Sequence, residues 1–101
     1  MYDNGIGVAE NDATAVEWYR KAAEQGVAPA QHNLGVMYNT GKGIAQNFVK
    51  AYMWTSVSAD TGHEVAKKLR NLLVEKMTQK QIVKAQDLAS KCLESRFKNC
   101  S

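Results

Sequence analysis

The chain repeats itself with a period of 36 residues. When the 101-residue sequence is shifted by 36, eleven positions carry the same residue. These positions include both tryptophans, Trp18 and Trp54, and the two Gly-x-Gly segments at 5–7 and 41–43. A period of this length is typical of a solenoid, in which each unit buries its apolar face only against its neighbours. We therefore predict two repeat units, over 1–36 and 37–76.

Each unit has the residues of a helical hairpin. Gly-x-Gly ends a helix because Gly adopts positive φ without a steric penalty. Asn11 or Asp12, and Asn47 in the second unit, offer side-chain oxygens that cap the helix that follows. Apolar residues then recur every three or four positions. The predicted helices run over 12–25, from Pro29 to 38, over 48–60 and over 63–76.

The last 25 residues follow a different plan. Thr78 and Gln81 form a capping box, and Met77 and Ile82 form its hydrophobic staple. A helix of about 17–20 residues with one apolar stripe is expected next. A terminal helix with a polar outer face keeps a solenoid soluble. The sequence thus predicts one all-α domain over 1–101, with a capping helix and tail over 77–101.

The residues behind this prediction resemble the Sel1-like repeat family, whose units are similar to tetratricopeptide repeats but have a longer Gly-rich loop. The likeness covers about residues 1–75, and its departures are Phe48 and Ser58. It implies a right-handed α/α superhelix that serves as a protein-binding scaffold, and bacterial members end in similar tails with two cysteines. The residues that carry the resemblance are Ala15-x-x-Trp18-Tyr19-x-Lys21-Ala22-Ala23-x-x-Gly26-x-x-x-Ala30-Gln31, Leu34-Gly35-x-Met37-Tyr38-x-x-Gly41-x-Gly43-Ile44 and Lys50-Ala51-x-x-Trp54.

Composition and charge narrow the function classes. No run of 18 apolar residues is present, so no membrane span is predicted, and the given chain contains no signal peptide. The formal net charge is +3. Nine Lys or Arg and four Asp or Glu lie in 63–101, against four and six in 1–62. These charges are interspersed around helices, so we expect a solvated face, with an acidic protein partner or weak nucleic-acid binding as alternatives.

No catalytic constellation is visible. His32 and His63 are remote in sequence and lack a nucleophile or metal-ligand spacing, so both are expected to be exposed, with His32 pointing away from the hairpin core. Trp18 and Trp54 fit core packing better than a stacking platform. Some cysteine-rich family members are associated with β-lactams, but their hairpin cysteines and a Lys-Thr-Gly motif are absent here. We predict no enzyme activity, no cofactor and no metal, with a hydrolase of that kind as the alternative.

Two surfaces are candidates for binding. Equivalent positions 36 residues apart place one set on the inner face, and this set should contact a protein or peptide partner: Gln31, His32, Lys67, Lys68 and Asn71. The first helix should expose an apolar stripe, because Met1 and Tyr2 align with the end of a helix whose body is missing. That stripe contains Tyr2, Ala15, Trp18, Tyr19 and Ala22. It predicts a homodimer through the N-terminal repeat or an exchange of N-terminal segments, unless the chain is a fragment.

Cys92 and Cys100 are separated by eight residues. A continuous helix would place them about 12 Å apart along its axis, too far for a disulfide. A bridge therefore requires the helix to stop near 95–97 and the tail to fold back. Spacing leaves both outcomes open, and the resemblance to exported family members supports the bridge. Localisation follows the cysteines: cytoplasmic for the chain as given, and periplasmic or secreted if they are bridged and a signal sequence has been lost.

Overall fold

The computed structural model describes residues 8–98 and Cys100, with side chains from Asp12 onward. Five α-helices and no strand occur in this part of the chain. The predicted all-α solenoid is confirmed. The helices are α1 (Val8–Glu24), α2 (Ala28–Thr40), α3 (Phe48–Asp60), α4 (Glu64–Val74) and α5 (Gln79–Glu94).

The core lies around α3. Every residue from Ala51 to Ala59 is buried, and α3 packs against α2, α4 and α5. Trp54 and Met53 are fully buried and meet Leu34 of α2 and Leu73 of α4 in one hydrophobic cluster. By contrast, α1 packs mainly against α2 and lies at the edge of the stack.

The helix ends follow the predicted capping rules in three cases out of four. Asn47 accepts a hydrogen bond from the Lys50 N–H at 3.0 Å. In the capping box of α5, the Gln81 N–H donates to Thr78 Oγ1 at 3.2 Å and the Thr78 N–H donates to Gln81 Oε1 at 2.9 Å. Pro29 lies in the first turn of α2, one position after its first residue.

The predicted cap of α1 is wrong. The helix begins at Val8, so Asn11 and Asp12 lie inside it. Ala9 and Glu10 are residue types with high helix propensity, so the helix extends through this region. The capping helix α5 has 16 residues and ends at Glu94, slightly short of the predicted length.

The Gly-rich loop after α2 rests directly on α1. Gly41 ends α2 with φ 76° and donates its N–H to the Met37 carbonyl at 2.7 Å. Gly43 has φ 74°, and a Cβ placed on it would lie 2.5 Å from the carbonyl carbon and oxygen of Asp12. Any side chain at Gly43 would therefore push the loop away from α1.

The C-terminal tail folds back after α5. Arg96 and Phe97 have φ values of 56° and 70°, and the Phe97 N–H bonds to the Cys92 carbonyl at 2.8 Å. Cys92 and Cys100 form a disulfide with their Cα atoms 4.5 Å apart. The Phe97 ring packs on the turn between α1 and α2, where a Cβ on Gly26 would lie 3.0 Å from its Cε2. The tail thus links the end of α5 to the first helical hairpin.

Replacing Gly43 should destabilise the fold more than replacing Gly41. Both Gly43→Ala and Gly41→Ala introduce a Cβ at a left-handed φ, which costs roughly 1–2 kcal/mol. Only Gly43→Ala also places that Cβ against the α1 backbone; the nearest atom for Gly41 is the Gln46 Cβ at 3.3 Å. We expect an additional loss of about 1–3 kcal/mol in the free energy of unfolding for Gly43→Ala, measured by urea denaturation. Equal losses in the two variants would contradict the loop–helix contact.

The disulfide should contribute to stability. The Cys92→Ala/Cys100→Ala variant removes the constraint on a short loop, and we expect its free energy of unfolding to fall by about 2–3 kcal/mol. Urea denaturation in non-reducing buffer measures the loss, and wild-type protein treated with a reductant should match the variant. Non-reducing mass analysis provides the independent check, since two free thiols would disprove the bridge.

Candidate interaction surface

The buried side chain of Gln31 connects two helices inside the fold. Its side chain is fully buried, its Nε2 donates to the Ala23 carbonyl at 3.0 Å, and its Oε1 accepts from Thr61 Oγ1 at 3.1 Å. The side chain therefore ties the end of α1 to the end of α3. This corrects the expectation that Gln31 contacts a partner, because a side chain with no exposed surface presents nothing to another molecule.

His32 and His63 lie together. Their ring centroids are 5.0 Å apart, and both residues are half-buried. Nδ1 of His32 is buried and has no hydrogen-bond partner within the described residues. Burial, together with the nearby His63 imidazole, lowers the pKa of His32 below its ordinary value of 6.5. The expectation of two separate exposed histidines is therefore wrong, since the turn before α4 returns His63 to the side of α2.

The remaining members of the predicted inner-face set lie on α4. Lys67, Lys68 and Asn71 are all exposed. The Lys67 ammonium is 3.4 Å from the Glu64 carboxylate, whereas no salt bridge involves Lys68 within the described residues. Their role in binding a partner stays a prediction, and the surface available for it is a basic patch on α4 without Gln31.

The outer side of α1 carries an exposed aromatic. Trp18 is 65% exposed, whereas Trp54, its equivalent 36 residues later, is completely buried. Core packing is thus correct for Trp54 and wrong for Trp18. Ala15, Tyr19 and Ala22 are half-buried beside Trp18, and Tyr2 lies outside the described residues. The Lys21 ammonium lies 5.5 Å from the Trp18 ring centroid.

Two polar residues near the α1–α2 turn were not anticipated. Ser58 is fully buried, and its hydroxyl donates to the Ala28 carbonyl at 2.7 Å. Thr61 reaches Gln31 from the end of α3. The departure from the family pattern at Ser58 was the available signal, because a hydroxyl in a buried stripe requires a hydrogen-bond partner.

Between residues 8 and 98, and at Cys100, no three His, Cys, Asp or Glu side chains are grouped to hold a metal ion. Within that part of the chain, no helix is both long enough and apolar enough to cross a bilayer.

Comparison with known families identifies the repeat. The family described as Sel1 repeat matches residues 1–27 and 28–63, which is more than half of the chain, and the chain belongs to this family. The second matched unit is 36 residues long, which equals the period of the internal repeat, and the boundary between the two units lies at the start of α2. Sel1 repeats form helical solenoids and are generally protein-interaction modules. No curated protein matches the chain closely enough to count as a relative.

The histidine pair predicts a pH-dependent stability. Because the pKa of His32 is lower in the folded chain than in the unfolded chain, the stability that it contributes is complete above pH 6.5 and is lost as the pH falls below that value. We expect the free energy of unfolding to fall by roughly 0.5 kcal/mol between pH 7.5 and 5.5, since partial exposure screens the charges. His32→Gln should reduce this fall, as measured by urea denaturation at both pH values.

His63→Gln is the matched variant for the second cause of the shift. It leaves the burial of His32 in place and removes only the neighbouring imidazole, so its pH dependence should lie between those of the wild type and His32→Gln. An unchanged pH dependence in His32→Gln would show that other groups account for it.

Proposed function

We propose that this chain is a non-catalytic scaffold that acts by binding another protein through the outer face of α1. The observation that carries the proposal is Trp18. A large aromatic side chain exposed on a small domain is costly in water and is a frequent anchor of protein interfaces. The same repeat position is buried in α3, so the side chain suits an environment that packs against a further helix.

The partner that we propose is a second copy of this chain. Trp18 is flanked along α1 by the exposed residues Glu17, Lys21 and Glu24. Two antiparallel copies of α1 would bring acidic and basic side chains together, as a self-complementary two-fold interface requires. The opposite end of the solenoid is covered by α5, so association through α1 produces a closed dimer and not a filament.

A second candidate surface is the basic patch Lys67, Lys68 and Asn71 on α4, which favours an acidic protein partner. Its charges are exposed and the residues from 63 onward are net basic. The alternative is that the same positive charges bind nucleic acid weakly. In that case the affinity should fall steeply as salt is added. Hydrolase activity is the remaining alternative, and turnover of a hydrolase substrate that disappears in His32→Gln or His63→Gln would support it.

The disulfide supports a proposal for the compartment. Cys92 and Cys100 are both buried, and disulfides persist mainly in oxidising environments. We propose a periplasmic or secreted location on this ground. Detection of free thiols in protein isolated from its native host would favour the cytoplasm.

The dimer makes a direct prediction for Trp18→Ala. Sedimentation at micromolar concentration should give about twice the 11.2 kDa chain mass for the wild type. Trp18→Ala should weaken association at least about tenfold, because it truncates the central aromatic anchor. The matched control is Leu72→Ala on α4, which removes another exposed apolar side chain (58% exposed) and should leave the dimer unchanged. A wild-type monomer would exclude a second copy as the partner.

A further inference from the structure

A polar groove lies between α4 and α5. Both helices pack on α3 more than on each other, so α3 forms the floor of a depression between them. Its volume is about 210 Å³. Tyr52, Ser56 and Asp60 line it from α3, Arg70 from α4, and Gln86 and Ser90 from α5. The groove is separate from the α1 face and the α4 basic patch.

One charge of each sign lines this groove without a partner. Asp60 and Arg70 form no ion pair or hydrogen bond within the described residues, where the salt bridges join Glu64 to Lys67 and Asp87 to Lys91. Opposite charges on the walls of one depression usually neutralise each other when they can meet. Here each remains available to a ligand group of the opposite sign.

The floor supplies a built polar site. Ser56 is only 6% exposed, yet its hydroxyl makes no hydrogen bond within the described residues. The Tyr52 hydroxyl, on an equally buried residue, receives only a long hydrogen bond of 3.5 Å from Gln86 Nε2. Both hydroxyls line the groove and keep hydrogen-bonding capacity that they can offer to a polar ligand.

Size and charge together define the class of ligand. The volume corresponds to about seven water molecules at roughly 30 Å³ each, which is too small for a helix or a nucleic-acid strand. A carboxylate suits Arg70, because guanidinium binds it with two parallel hydrogen bonds. An ammonium suits Asp60. We propose that the groove between α4 and α5 binds a small zwitterion of dipeptide size, with its carboxylate on Arg70, its ammonium on Asp60 and its polar centre on Ser56.

The experiment uses dialanine and two blocked forms as probes. Titration into the full 101-residue protein, followed by amide NMR shifts, should move signals of α3, α4 and α5 around the groove. Acetylation of the ammonium and amidation of the carboxylate should each weaken binding at least about tenfold, since each removes one charge-assisted contact. Equal binding of all three probes, or shifts confined to other surfaces, would overturn the proposal.

Variants assign each end of the ligand. Arg70→Gln should bind dialanine and its amide equally weakly, and Asp60→Asn should bind dialanine and its acetylated form equally weakly. Lys84→Gln and Asp87→Asn, both on α5, make the same charge changes outside the groove lining and should leave affinity unchanged. If acetyl-dialanine binds as well as dialanine while the amide does not, the ligand is the carboxyl end of a longer chain, and the zwitterion is excluded.

Discussion

Burial of α3 from Ala51 to Ala59 is the constraint on which the rest of the structure depends. Polar side chains buried on such a helix need hydrogen-bond partners within the protein. Thr55 Oγ1 bonds to the Ala51 carbonyl of its own helix, and Ser58 bonds to the Ala28 carbonyl of α2. Close approach of the neighbouring helix also needs a small residue: a Cβ on Gly35 of α2 would lie 3.2 Å from the Ala51 carbonyl oxygen. The small residues in the repeat therefore set the distance between α2 and α3.

The end of the stack near the α1–α2 turn is held by contacts that are distant in sequence. Gln31 joins Ala23 to Thr61, Ser58 joins α3 to α2, and Phe97 covers Gly26. The edge helix α1 packs mainly on α2, so these contacts, and the Gly43 loop at Asp12, fix its position. In the sequence these residues look isolated, because the residues that they contact are eight or more positions away.

Local rules explain what the sequence predicted well. The Asn47 cap and the Thr78–Gln81 box depend on residues three positions apart, so they can be predicted without tertiary knowledge. The 36-residue period is read from the sequence alone. Gln31 shows why the site was harder to predict. Its repeat equivalent, Lys67, is exposed, because α3 lies over α2 at Gln31 whereas α5 packs on α3 and not over the same face of α4. Two residues that are 36 positions apart therefore occupy equivalent backbone positions, but their side chains need not be equally buried.

The same asymmetry accounts for two of the three surfaces for which binding is proposed, the outer face of α1 and the groove between α4 and α5. At the first end, Trp18 occupies the repeat position that Trp54 fills in the buried helix α3, and its exposure leaves an apolar surface on α1. At the last end, α5 departs from the repeat and packs beside α3, which opens the polar groove next to α4. Interior units of a solenoid bury their apolar side chains against the neighbouring units and form hydrogen bonds to them with their polar side chains. At the two edges of the described stack this covering is incomplete, and both of these proposed sites lie there.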